Sequence, residues 1–331
     1  MPKRTSKQIF NTILRAKKIL LVPHQNPDGD ALGSVTAMMQ FLRTLEKPHT
    51  AYCKTDISER LRFLPHADYI SQDDEIWNDT NIDVIMVFDS GDLEYAGVRE
   101  QIENLKHKPT IINIDHHKRN DHFGDLNLVL PHAPSTTSIL FQFFAHNEIH
   151  VDQSIATCLL TGLVTDTDNF TNAATTAQSL TIGSDLISRG ANLHLIKGWT
   201  LKDKTIAGLK LWGIVMQRLD RHEELDIVFT YVTQEDIRSQ TVTESEIEGF
   251  ANFLNTLEDG KAGMILKEHD DGSIKGSFRT NRDDVDVSSF AKLFGGGGHQ
   301  KAAGFTISGP MEQAIPKIFN DIEKMEKSTS S

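Results

Sequence analysis

PTIINIDHH, residues 109–117, is the stretch whose reading decides the fold. It is a short run rich in β-branched residues that ends abruptly in one aspartate and two histidines. A strand buried on both faces reads as a near-continuous apolar run rather than as an alternation. Two other stretches share this form, KILLVPH at 18–24 and DVIMVFD at 83–89, and each also ends in a polar, ligand-type side chain. Residues 5–17 and 30–45 carry apolar positions at helical spacing, and STTSILFQFFAHN at 135–147 opens on hydroxyl residues suited to N-capping. Strands alternating with helices predict an α/β fold with an open, mostly parallel sheet.

Beyond this sheet the pattern changes twice. Residues 154–217 read mostly helical, with breaks at NFTNAAT and SRGAN. After Asp220 come the strand-like LDIVFTYV, AGMILKEH and SIKGSFRT, a capped helix DVSSFAKLF, a glycine run and AAGFTIS. The expected organisation is a metal-binding sheet domain over 1–195, a helical linker over 196–220, and a smaller α+β domain over 221–327. The closing EKSTSS reads as a disordered tail, and a hinge near 190–220 is expected to gate turnover.

Composition bounds the function. A chain of 331 residues with 38% apolar content can bury two cores. Cys53 and Cys158 are the only cysteines and lie far apart, which argues against a disulfide framework or a thiolate zinc site and points to the cytoplasm. The apolar run ILLV at 19–22 is too short for a signal core or a membrane span, so no membrane partner is expected. A net charge of -12 argues against a protein that clamps long nucleic acid, yet leaves room for a small anionic substrate at one local site.

In open parallel sheets, ligands bind at the carboxyl ends of the strands. There the first strand delivers His24, Asp28 and Asp30 within HQNPDGDALGS, the second Asp89 within FDSGD, and the third Asp115, His116 and His117. Asp166, in TGLVTDTDNF, follows a helical run. Taken singly, each has a structural reading: Asp28 and Asp30 as turn formers, Asp89 as a helix cap, and the two histidines as a surface pair. Taken together at one sheet edge, Asp28, Asp30, Asp89 and Asp166 would repel one another unless neutralised, and a cation is the simplest reason for the set. Six good ligands, His24, Asp28, Asp30, Asp89, His116 and Asp166, exceed what one ion needs. Two divalent ions are expected, and aspartate with histidine and no thiolate suits manganese.

The set HQNPDGDALGS, FDSGD, IDHH and TDTDNF, closed by FGGGGHQKAAGF, resembles the DHH phosphoesterases, whose triplet stands here at 115–117. The match spans nearly the whole chain and is similar in particular to the bifunctional oligoribonuclease and pAp phosphatase branch. The resemblance implies one ion on His24, Asp28 and Asp89 and a second on Asp30, Asp89, His116 and Asp166, with Asp89 bridging. It makes Asp115 the partner that orients a histidine, turns His117 toward substrate phosphate, and places Asp30, Asp89 and His117 in the catalytic step. It implies manganese-dependent cleavage of short RNA oligonucleotides and of small nucleotides such as pAp, through two-metal activation of a bridging water, by a protein that pairs as a homodimer.

The second domain supplies recognition. FGGGGHQKAAGF has glycines at 295–298 that let backbone amides approach an anion, and His299 stands beside them. It lacks the lysine and hydroxyl residue of a nucleoside-triphosphate loop, and alone it could be a plain turn. The resemblance turns Gly296, Gly297, Gly298 and His299 toward the metals and pairs them with Arg279 of GSFRT, whose fork suits phosphate. Asn281, Arg282 and Lys301 are neighbours without an assigned role. The main rival is a cyclic-di-AMP or pApA phosphodiesterase, which would share the catalytic core. A manganese pyrophosphatase lacks the glycine–histidine run, and a nonenzymatic nucleotide sensor would be expected to have lost a ligand.

Overall fold

The computed structural model describes residues 2–200, 205–242, 244–247, 250–254 and 257–329. The chain divides into two compact units, Met1–Lys202 and Asp203–Ser331.

The first unit is built on six parallel strands: β1 (Lys18–Pro23), β2 (His49–Tyr52), β3 (Ile70–Ser71), β4 (Ile82–Phe88), β5 (Thr110–Asp115) and β6 (Leu126–Val129). Their order is β3-β2-β1-β4-β5-β6. The helices are α1 (Lys3–Arg15), α2 (Gly29–Thr44), the short α3 (Arg99–Glu103), α4 (Thr136–His146), α5 (Gln153–Asp166), α6 (Ala177–Ser188) and α7 (Leu193–Thr200). The apolar run of β1 is explained by its two faces. Ile19 and Leu21 join one core with α2, α4 and α5, while Leu20 and Val22 join a second core with Tyr52, Ile85 and Val98. The strand order reverses between β1 and β4, so a crevice opens at their carboxyl ends, where such sheets place ligands.

α2 and α5, which share the core on one face of this sheet, approach closely at glycines. A Cβ on Gly33 of α2 would lie 2.5 Å from the Cys158 carbonyl oxygen of α5, and one on Gly162 of α5 would lie 2.5 Å from Asp30 Oδ1. This approach lets the first turn of α2 and the last turn of α5 meet, and these turns carry Asp30 and Asp166.

The second unit holds β7 (Asp220–His222), β8 (Ile227–Val232), β9 (Ala262–Glu268), β10 (Ser273–Arg279), β11 (Gly297–His299) and β12 (Ala302–Ser308), in the order β11-β12-β10-β9-β8-β7. All pairings are antiparallel except the parallel β8–β9. α11 (Val287–Lys292) and α12 (Met311–Thr329) cover one face through Val287, Phe290, Ile318 and Phe319. α8 (Ile206–Gln217), α9 (Gln234–Ser239) and α10 (Phe250–Leu254) contribute Leu211, Val215, Ile237 and Phe250 to a separate core.

The α/β class with a parallel sheet followed by a second, mixed domain is as the sequence predicts. The segment read as a linker behaves differently along its length. Ile196 is buried in the core of the first unit, whereas Leu211 and Val215 of α8 are buried in the second. Residues 201–204, inside the expected hinge, lie outside the described residues. The expected disordered tail is corrected in part: α12 continues to Thr329, while residues 330–331 lie outside the described set.

Gly33→Ala should destabilise the first unit by about 1–3 kcal/mol, since the added methyl meets backbone rather than a side chain that can move. Gly213→Ala, on α8 where an added Cβ meets nothing within 4 Å, should instead stabilise by about 0.5–1 kcal/mol. Thermal melts of the two variants beside the wild type check both signs.

Candidate metal centre

β1, β4 and β5 run out side by side, and the residues just past them form the site. His24 follows β1. Asp28 is the N-cap of α2, its Oδ1 accepting from the Asp30 and Ala31 amides at 2.9 and 3.0 Å. The turn reading of Asp28 therefore holds, and the same carboxylate also faces His24 Nε2 at 3.8 Å. Asp89 follows β4 with φ of +58°, a left-handed backbone that aspartate tolerates better than most residues.

The carboxylate of Asp89 faces two ways. Its Oδ2 lies 3.6 Å from His24 Nε2, and its Oδ1 lies 3.5 Å from His116 Nε2. Around His116 Nε2 also stand Asp166 Oδ2 at 3.2 Å and Asp30 Oδ2 at 3.9 Å. The ligand-type side chains gather as His24 with Asp28 and Asp89, as His116 with Asp30 and Asp166, and as His116 and His117 with Asp89, whose two oxygens face His24 and His116 respectively.

Each imidazole is oriented by its other nitrogen. His24 Nδ1 lies 2.8 Å from the Gln25 carbonyl oxygen, and His116 Nδ1 lies 3.3 Å from that of Ala133. A carbonyl oxygen only accepts, so Nδ1 carries a proton in both rings, and Nε2 is the ring atom turned toward the carboxylate oxygens. Lone pair facing lone pair is unfavourable unless a proton or a cation lies between them. The aspartates show the same conflict. Burial, then the charges of Asp30, Asp28 and Asp166, push Asp89 well above the usual carboxylate range. Burial, then Asp30 and Asp28, do the same to Asp166. Asp30, fully buried, is also raised, by burial first. This donor set of carboxylate oxygens and imidazole nitrogens fits divalent cations.

Asp30 is buttressed from the far side. Thr136 N donates to its Oδ2 at 2.6 Å, and Thr137 N and Oγ1 donate to its Oδ1 at 2.9 and 2.7 Å, so the first turn of α4 seats the carboxylate. Thr136 Oγ1 donates to Asp89 Oδ1 at 2.9 Å.

His117 is not arranged like the other two. Its Nδ1 donates to Asp115 Oδ1 at 2.7 Å, and this contact, followed by the charge of Asp115, raises its pKa against the effect of burial. Burial alone would raise Asp115, but bonds from His117 and Asn120 bring it below its ordinary value. Asn120 Nδ2 donates to Asp115 Oδ2 at 2.7 Å, and Asn113 Nδ2 donates to Asn120 Oδ1 at 2.9 Å. A chain of side chains from inside β5 therefore fixes the ring of His117. Sequence reading found neither Asn113, Asn120 nor the two threonines; an asparagine three residues past the histidine pair was the available signal.

In the second unit, the strand register brings the predicted recognition residues into one row. Arg279 on β10 and His299 on β11 both pair with Ala302 of the intervening β12. Directly paired residues point to the same face, so the guanidinium and imidazole flank a small alanine. Desolvation lowers the pKa of Arg279, and its Nη1 donates to the Phe278 carbonyl at 2.9 Å. The glycines are not equivalent. A Cβ on Gly296 would collide with the Gly304 carbonyl, and one on Gly298 would lie 2.5 Å from that of Ala302, whereas Gly297 faces open space. Lys301 is paired with Asp283 and Arg282 with Asp284.

Residues 18–163 match the DHH family, N-terminal domain, and residues 225–328 match the DHHA1 domain. The chain is 27% identical to the bifunctional oligoribonuclease and PAP phosphatase NrnA of Thermus thermophilus, covering 92% of this chain and 89% of that protein. It is 24% identical to the Bacillus subtilis protein of the same name, covering 97% and 98%. It is also 25% identical to the cyclic-di-AMP phosphodiesterase GdpP of Geobacillus thermodenitrificans, covering 93% of this chain but 48% of that protein. Among solved structures, an exopolyphosphatase-related protein from Bacteroides fragilis superposes with a TM-score of 0.88 at 25% identity, over 99% of this chain and 98% of that one.

Carboxylates whose folded-state pKa is raised weaken the fold as pH climbs from their unfolded value through the raised one. The metal-free protein should therefore lose stability relative to Asp89→Asn as the pH is raised from an acidic value near the ordinary carboxylate range to a neutral one. Divalent metal should recover about 2.7 kcal/mol for the wild type at a hundredfold excess over its dissociation constant, and much less for Asp89→Asn. Denaturant melts with chelator and with manganese at both pH values test this.

Proposed function

We propose, for a chain that joins a DHH family domain to a DHHA1 domain, that it hydrolyses short oligoribonucleotides to mononucleotides and removes the 3′-phosphate of pAp. The observation that carries this reading is the pair of imidazole Nε2 atoms, each set among carboxylates with its Nδ1 already committed to a backbone carbonyl. Such an arrangement makes chemical sense as a holder of two cations. His24, Asp28 and Asp89 would hold one, and Asp30, Asp89, His116 and Asp166 the other, with manganese favoured by the mixed oxygen and nitrogen donors. When bound, the two ions supply Lewis acidity, lowering the pKa of an attacking water and offsetting charge at phosphorus.

The chain's own residues do the rest. Asp89, fixed by Thr136 and by its strained backbone, keeps the two ligand groups in register. Asp115 and Asn120 hold His117 so that its Nε2 meets the substrate phosphate as a positioned donor. Arg279, Gly297 and His299 recognise phosphate in the second unit, the guanidinium by a bidentate fork and the glycine by presenting no side chain where the space beside it is open. Similarity to the oligoribonuclease and PAP phosphatases end to end supports this substrate class. The cyclic-di-AMP phosphodiesterase is the second reading, and it is less favoured because this chain spans only 48% of that protein.

With manganese, rates should be highest on substrates of about two to five nucleotides and shallow in salt dependence, because few phosphates are neutralised. Hydrolysis of a 24-mer as fast as a dinucleotide, or an internal cut as first product, would overturn the assignment.

Arg279→Ala and His299→Ala should keep both metals and raise KM about tenfold or more with a smaller effect on kcat, the pattern of lost binding. Gly297→Ala should fold and share that phenotype, whereas Gly296→Ala should chiefly destabilise its domain. Metal titration beside steady-state kinetics separates these outcomes.

A further inference from the structure

Tyr95 is a large aromatic that lies outside the apolar cores of its unit. It is 45% exposed, although it belongs to the loop that follows the metal-centre residue Asp89. That loop is anchored without it: Leu93, Ala96 and Val98 are buried in the core on one face of β1 and β4. Its backbone is pinned as well. Tyr95 N donates to Asp92 Oδ1 at 2.7 Å, Gln25 N donates to the Tyr95 carbonyl at 3.2 Å, and Gly97 N donates to the Glu94 carbonyl at 2.9 Å. The Tyr95 ring is stacked on that of His24, with centroids 4.8 Å apart and planes at 27°. It meets the ring of His117 edge-on at 6.3 Å.

A half-exposed aromatic, rigidly presented beside a cluster of carboxylates, neither neutralises charge nor fills a core. It does offer an apolar, polarisable surface next to the place where a phosphate would be bound. In a nucleotide, the chemistry that lies one sugar away from the phosphate is a nucleobase, which every aromatic side chain can stack upon irrespective of sequence. Because the loop is already ordered, little conformational entropy is lost when the base arrives.

We propose that Tyr95 is a specificity-determining residue, stacking the nucleobase of the nucleotide whose phosphate is held at the His24–Asp166 cluster. The inference rests on the phosphate-ester reading above and adds to it a reason for preferring nucleotides over bare phosphate compounds, within the catalytic unit itself. Stacking of this kind tolerates any base, which suits an enzyme that must degrade short RNA of every sequence.

The test is binding, independent of turnover. Calorimetric titrations of adenosine 5′-monophosphate and of ribose 5-phosphate into manganese-loaded protein isolate the contribution of the base. The wild type should favour the nucleotide by about tenfold or more, the range expected for one stacked base. Tyr95→Leu should reduce that preference to about threefold or less while manganese affinity stays within about threefold, and Tyr95→Phe should preserve it, since the ring rather than the hydroxyl is used. No preference in the wild type, or an undiminished one in Tyr95→Leu, would overturn the proposal. So would a loss of manganese affinity in Tyr95→Leu, since the ring would then serve His24. A protein that shows the tyrosine-dependent preference but cleaves no oligoribonucleotide would sink the activity and leave this inference standing.

Discussion

The structure turns on one electrostatic conflict, the enclosure of Asp30, Asp89 and Asp166 around an imidazole whose free nitrogen faces them. Like charges buried at such spacing cannot all ionise unless countercharge is supplied, and the raised pKa values of these aspartates express that. Much of the first unit can be read as what is needed to hold this conflict in place. Parallel strands put β1, β4 and β5 ends side by side, and glycines in α2 and α5 draw Asp30 and Asp166 together.

The surrounding backbone softens the conflict only partly. The amides of Thr136 and Thr137 at the start of α4 donate to Asp30, where the helix dipole also favours negative charge. Even so, burial dominates and Asp30 stays raised. Strain adds to the cost, since Asp89 and the successive residues Asp168, Asn169 and Phe170 adopt positive φ on either side of the site. A fold that tolerates buried repulsion and left-handed backbone at one place gives up stability there, as functional sites commonly do.

How much of this was legible in the sequence depends on whether the determinant is local. The buried parallel strands were legible because a strand covered on both faces has no polar side to interrupt its apolar run, and their ends delivered His24, Asp89 and the 115–117 triplet. The four-residue β2 and β6 and the two-residue β3 were not, because they are too short to show periodicity. Nor was the seat of Asp30 on Thr136 and Thr137, more than a hundred positions later, which exists only once α4 docks. The glycine run 295–298 shows the same limit. Four identical letters conceal that Gly296 and Gly298 are required by the backbone of β12 while Gly297 is open.

A metal cluster by itself discriminates poorly among phosphate compounds, because it engages atoms they all share. Discrimination has to come from groups that touch what differs: the base, the number of phosphates, the length of the chain. The net charge of -12 already sets one bound, since a long polyanion gains nothing from such a surface outside a local site. In the second unit, the paired row of Arg279, Ala302 and His299 spans only three strands. A row of that length can engage only a few phosphates. Under the function proposed above, a preference for short substrates would need no dedicated barrier, because only a few phosphates are neutralised.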